Sequence, residues 1–130
     1  MKKLLAFIFL LLSVSPALAT PPLGNPIVSV QSAAEEGNHV LKATPGWLNG
    51  FDATTDTTAG YVLFFDATSD PSDGSVMPKL CFVLPATQTT GASWLTYPVP
   101  FDNGIIIVFS TTGCFTKTES ATAFFSAQVQ

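Results

Sequence analysis

Gly104-Ile105-Ile106-Ile107-Val108-Phe109-Ser110 decides how this chain reads. β-branched residues dominate the run, a glycine opens it, and Thr111-Thr112-Gly113 closes it. No helix of ordinary length fits between those breakers, so the run is a strand. Side chains alternate faces along a strand, which puts Ile105, Ile107 and Phe109 on one side and Ile106 and Val108 on the other. Both sets are apolar, so this strand wants cover on both faces. Tyr61-Val62-Leu63-Phe64-Phe65-Asp66 has the same property.

Around these two runs the chain breaks into short strands. Ile27-Val28-Ser29-Val30-Gln31 reads as an edge strand inside an extended lead-in, residues 20 to 38, which Pro21, Pro22 and Pro26 keep open. The domain proper is expected over residues 39 to 130. His39 to Thr44 forms a strand stopped by Pro45-Gly46. In the segment that follows, Asn49-Gly50 marks either a tight hairpin or a bulge within one strand. Lys79 to Leu84 returns against Tyr61 to Asp66 as a long-looped antiparallel pair. Thr87 to Ser93 reads as a polar loop and Trp94 to Tyr97 as a short strand. Pro98 and Pro100 confine the next stretch to an edge or connector. Ala121 to Val129 alternates cleanly, with Ala123, Phe125, Ala127 and Val129 on one face. The expected fold is all-β: an antiparallel sandwich of seven to eight strands, jelly-roll or immunoglobulin-like.

The N-terminus carries a separate message. Met1-Lys2-Lys3, nine apolar residues from Leu4 to Leu12, and Ala17-Leu18-Ala19 match a secretory signal peptide, residues 1 to 19. The apolar run is too short to span a bilayer, which takes about 20 residues. An exported protein with no membrane span after cleavage is expected, in the periplasm, at the cell surface or outside the cell. The remainder keeps Lys42, Lys79 and Lys117 against nine acids and has no arginine. Without clustered cations, nucleic acid is excluded as a partner.

The order Val40-Leu41-Lys42-Ala43, Pro45-Gly46, Gly60-Tyr61-Val62 and Phe65-Asp66-Ala67-Thr68-Ser69, then Asp73-Gly74, Val76, Pro78 and Cys81, continues through Gly104 to Cys114. It ends in Phe115-Thr116-Lys117-Thr118 and Ser120-Ala121-Thr122-Ala123-Phe124. This pattern resembles a family of small β-sandwich proteins from tailed phages, prophages and proteobacterial genomes. The resemblance runs over about residues 40 to 129 and implies a non-enzymatic virion-accessory or surface module. The export signal departs from it and points to a similar module reused as an exported bacterial protein.

Candidate chemistry is sparse. Cys81 and Cys114 are the only cysteines, and export sends them to an oxidising compartment. Bonded, they would close a loop of about 34 residues and stabilise by roughly 3 kcal/mol; unbonded, they are small buried apolar residues. His39 as the sole histidine and the lack of a CxxC pair speak against a transition-metal site. Asp66, Asp70 and Asp73 are the weak calcium candidates, although Asp, Pro, Ser and Gly there also simply form a turn. His39 with Ser29 or Ser93 lacks the Gly-x-Ser-x-Gly elbow of a hydrolase. Asp52 and Asp102 are not singled out as a glycosidase pair. No catalytic residue and no cofactor is assigned.

Two binding readings remain. Trp47, Trp94 and Tyr97 are candidates for stacking on the rings of a glycan, against the ordinary burial of aromatics in a core. The doubly apolar strands point to self-association or docking onto a larger surface assembly, unless the protein's own loops cover them. The expected function is therefore an exported, non-catalytic structural or adhesive module. A small carbohydrate-binding module is the alternative.

Overall fold

The computed structural model of the protein describes residues 25–130 and is a β-sandwich without a helix. Residues 1 to 19, read as a signal peptide, and the start of the lead-in lie outside the described residues. One sheet holds β1 (Val28–Gln31), β11 (Ala123–Val129), β3 (Gly46–Thr55) and β7 (Thr89–Ser93) in that order, with β8 (Val99–Phe101) also pairing β3. The facing sheet runs β2 (Asn38–Lys42), β9 (Ile105–Ser110), β4 (Gly60–Asp66), β6 (Leu80–Leu84). A two-stranded ribbon pairs β5 (Gly74–Ser75) with β10 (Thr116–Lys117). Every pairing is antiparallel.

The alternation of side chains explains the main core. Ile105, Ile107 and Phe109 of β9 and Val62 and Phe64 of β4 face the other sheet. There they meet Phe51 and Ala53 of β3 and Phe125, Ala127 and Val129 of β11. Phe51 packs edge-on to Phe64 with ring centroids 4.8 Å apart, and Trp94 stacks on it at 6.2 Å. Such aromatic pairs add about 1 kcal/mol each beyond area burial.

The described residues contain eleven strands rather than the seven to eight expected. The extra ones are short or poor in apolar residues, and their partners define them. Thr89 to Ser93, read as a loop, is β7, paired through Gly50↔Ser93 to Thr54↔Thr89. Trp94 to Tyr97, read as a strand, bends instead, and the pairing resumes at Val99 on the same edge of β3. The Asn49-Gly50 alternative resolves as a bulge: Gly50 pairs Gln128 and Leu48 pairs Val129, leaving Asn49 the extra residue. Its carbonyl accepts the Trp94 N–H at 2.6 Å. The edge strand over residues 28–31 is present as β1, so the sandwich starts inside the lead-in rather than at residue 39.

The outward side chains of β4 and β9 do not meet solvent. Leu63, Phe65, Ile106 and Val108 form a second apolar cluster on the outside of the four-stranded sheet, joined by Tyr61, Ala67, Val76 and Cys81. Two excursions cover it, residues 67–79 after β4 and 111–120 after β9, and together they form a cap that carries β5 and β10. Each of the four side chains contributes about 1.5–3 kcal/mol by burial. The face that suggested an external partner is thus covered by the chain itself.

Candidate binding face

The cap is fastened by polar groups as well as by packing. Cys81 on β6 and Cys114 on the second excursion form a disulfide, with Cα atoms 5.7 Å apart. Lys117 is only 1% exposed, and its ammonium is bound by Asp70 and by the Pro71 carbonyl of the first excursion. Glu119 Oε2 lies 3.0 Å from it and Asp73 Oδ1 3.5 Å. Burial alone would push the Lys117 pKa down, but the Asp70 and Glu119 carboxylates outweigh it and hold it above its ordinary value. On Asp70 burial acts the other way and raises the pKa; Lys117 pulls against this, the adjacent Glu119 adds to it, and the net is upward. For Glu119 the upward push of burial loses to Lys117, Asp70 and the Asn38 amide, which hold it low.

These contacts divide the proposed calcium ligands. Asp70 and Asp73 face an ammonium, which already supplies their positive charge. Asp66 instead accepts the backbone N–H of Asp102 at 3.0 Å and of Asn103 at 2.8 Å and pairs with Lys79 at 3.2 Å. Burial pushes Asp66 up, but the two amides and Lys79 outweigh it and bring its pKa to about 2. Its role is to fix the turn that enters β9. Gly104 is required in that turn, because a Cβ there would lie 2.7 Å from the Ala67 carbonyl oxygen. No group of three His, Cys, Asp or Glu side chains suited to a metal ion occurs among the described residues.

The aromatic candidates are scattered. Trp94 is part of the core, packed against Phe51 and Phe82. Trp47 is half-buried beside Pro100 and Gln130. Tyr97 is 83% exposed on the connection between β7 and β8. They form no common platform. His39 pairs with Glu36 at 2.6 Å on the capped sheet, whereas Ser29 and Ser93 lie on the other sheet. Asp52 and Asp102 line different depressions.

The structure instead draws together residues that were not read as a group. On the outside of the five-stranded sheet lies a shallow groove of about 400 Å³. Registry builds it in two rows. Ser29 pairs Gln128, Gln128 pairs Gly50, and Gly50 pairs Ser93; in the next row Gln31 pairs Ser126, Ser126 pairs Asp52, and Asp52 pairs Gly91. Three strand gaps make each row about 14 Å wide.

Two glycines shape the floor. A Cβ at Gly91 would collide with Asp52 Oδ1 and the Phe51 carbonyl oxygen, so the missing side chain lets the Asp52 carboxylate lean across β7. At Gly50 a Cβ would lie 3.1 Å from the Ala92 carbonyl oxygen. Asp52 is the only titratable side chain among the groove's lining residues, and none of Lys42, Lys79 and Lys117 belongs to it. Such a site offers hydroxyl and amide groups and one carboxylate with which to exchange hydrogen bonds with a ligand.

The sequence signal for this face was present but divided. Gly50-Phe51-Asp52, Gly91-Ala92-Ser93 and Ser126-Ala127-Gln128 share one pattern, small or polar outward and apolar inward. Comparison with known proteins gives no match to this chain, whether among family models, curated proteins or solved structures. The class defined by fold and site is an all-β sandwich with one sealed and one open outer face. No helix among the described residues is long and apolar enough to cross a membrane.

Proposed function

We propose that the chain is an exported, non-catalytic binding module that meets its partner with the open face of the five-stranded sheet. The observation that carries this reading is the asymmetry of the sandwich. One outer face is closed by two excursions of the chain, while the other presents a polar groove floored by glycines. The leader-like residues 1–19 and the Cys81–Cys114 bond support export, since such bonds persist in oxidising compartments. A single carboxylate in the groove supports binding rather than turnover. The resemblance to phage-associated sandwiches supports a surface or assembly role, and self-association remains one form that role can take.

Fluorescently labelled mature protein tests the reading on whole bacterial cells. Binding should be lost in Ser126→Arg, which fills the groove, and kept in Met77→Lys on the cap. Equal binding by both variants, or none by the parent protein, would refute it.

A further inference from the structure

We infer that the groove on the five-stranded sheet is a subsite for an uncharged, polyhydroxylated ligand, a short stretch of neutral glycan. This rests on the binding-module reading above and adds the chemical class of the ligand. The lining carries both halves of every hydrogen bond. Serine hydroxyls donate and accept, the Gln128 amide does both, and the Asp52 carboxylate accepts. Sugar hydroxyls likewise donate and accept, so each can be satisfied across such a surface. A phosphate or carboxylate ligand would meet Asp52 with no cation to offset the repulsion.

Shape and one further side chain agree with this class. The groove crosses four strands and is shallow, which suits an extended chain rather than a compact small molecule. It lacks the deep apolar pockets that would read the side chains of a bound peptide. One row beyond Asp52, Phe124 stands on the same outer face opposite Thr54 and is 41% exposed. Its ring offers an apolar surface to the C–H face of a sugar beside the polar rows. This platform differs from Trp47, Trp94 and Tyr97.

Native affinity electrophoresis of the mature protein provides the test, with gels containing dextran, barley β-glucan, galactomannan or arabinoxylan, and polygalacturonate as the anionic probe. At least one neutral polymer should retard the protein, and polygalacturonate should not. Phe124→Ala and Ser126→Arg should each weaken retardation about tenfold or more, with circular dichroism showing that both remain folded. Tyr97→Ala should leave it unchanged. The inference is overturned if no neutral polymer retards the protein, if polygalacturonate retards it as well, or if Ser126→Arg has no effect. If cell binding still depends on Ser126 while every neutral polymer fails, only the ligand class falls. If cell binding is absent too, the module reading falls with it.

Discussion

The two outer faces of the sandwich are built from equivalent central strands and end in opposite states. Outward positions on β4 and β9 are Leu63, Phe65, Ile106 and Val108, all buried. Outward positions on β3 and β11 are Gly50, Asp52, Ser126 and Gln128, and these border an open groove. Covering the first face takes two excursions, and their polar ends need fastening to the sheet. The Cys81–Cys114 bond ties the second excursion to β6, and the Lys117 cluster ties the two excursions to each other. The second face carries little apolar surface, with Phe124 the exposed large apolar side chain among the outward positions of β11, so no excursion has to be folded over it. The extra fastenings beyond the shared core are therefore concentrated on one side of the molecule, and the proposed recognition lies on the other.

The severest test of that division is Lys117→Met. The ammonium sits at the centre of the cap, and removing it leaves Asp70, Asp73 and Glu119 without their counter-charge. Breaking a buried pair from one side costs about 3–5 kcal/mol. The cap should loosen and expose the Leu63 and Ile106 cluster, read out as a lower denaturant midpoint with new binding of a hydrophobic dye. Adding Asp70→Asn and Glu119→Gln to the same chain should recover part of the loss, because the stranded charges are then gone. Full stability in Lys117→Met would mean that apolar packing alone holds the cap.

Replacing both Cys81 and Cys114 by serine comes next. The bond joins residues 33 apart in sequence, and opening a loop of that size should cost about 3 kcal/mol. Hydrogen exchange should rise first in residues 111–120, while Gly50, Gly91 and Gln128 in the groove keep their protection.

Acid acts on the same side of the molecule with a smaller effect. Asp66, at about 2 against an ordinary 3.8, and Glu119, held below its ordinary 4.5, contribute stability that is present above those ordinary values. It is lost as pH falls through the lowered ones. Asp70 runs the other way, since its raised pKa favours the folded state when it is protonated and offsets part of the loss. Lys117, held above its ordinary 10.5, contributes below that pH and loses its contribution only as pH rises beyond it. Stability should be level from about pH 5 to 9 and should fall below pH 4. The Asp66 share is about 1 kcal/mol, because solvent screens a side chain that is not fully enclosed. Equilibrium denaturation across pH checks the shape of the curve, and a maximum near pH 3 would contradict it.

Legibility in the sequence follows the same division. The apolar strands could be read because β-branched runs and period-two alternation are local properties, as in Ile105 to Phe109 and Ala123 to Val129. That β9 needs cover on both faces was legible too. What covers it was not, because the contacts of Lys117 with Asp70, Asp73 and Glu119 exist only once the two excursions are brought together. β7 stayed hidden because Thr89-Thr90-Gly91-Ala92-Ser93 has no large apolar or aromatic side chain, and its pairing with β3 makes it a strand. The groove was the least legible feature. Ser29, Gly50, Gly91 and Ser126 become neighbours only through the strand order β1-β11-β3-β7, which no local pattern encodes.

The smallest expected effect is the sharpest test of how separate the faces are. Ser126 sits mid-strand on β11, exposed, between Gln31 and Asp52 in adjacent strands. Its side chain is not part of either apolar cluster, so Ser126→Arg should change unfolding free energy by no more than about 0.5 kcal/mol. A new cation directly opposite Asp52 adds at most a cross-strand pair of a few tenths of a kcal/mol. The same substitution should remove binding, because the long side chain lies across the groove. A large loss of stability in this variant would show that the open face also holds the fold together, and the division of labour between the two faces would fail. A stable variant that no longer binds would place recognition on this face and stability on the other.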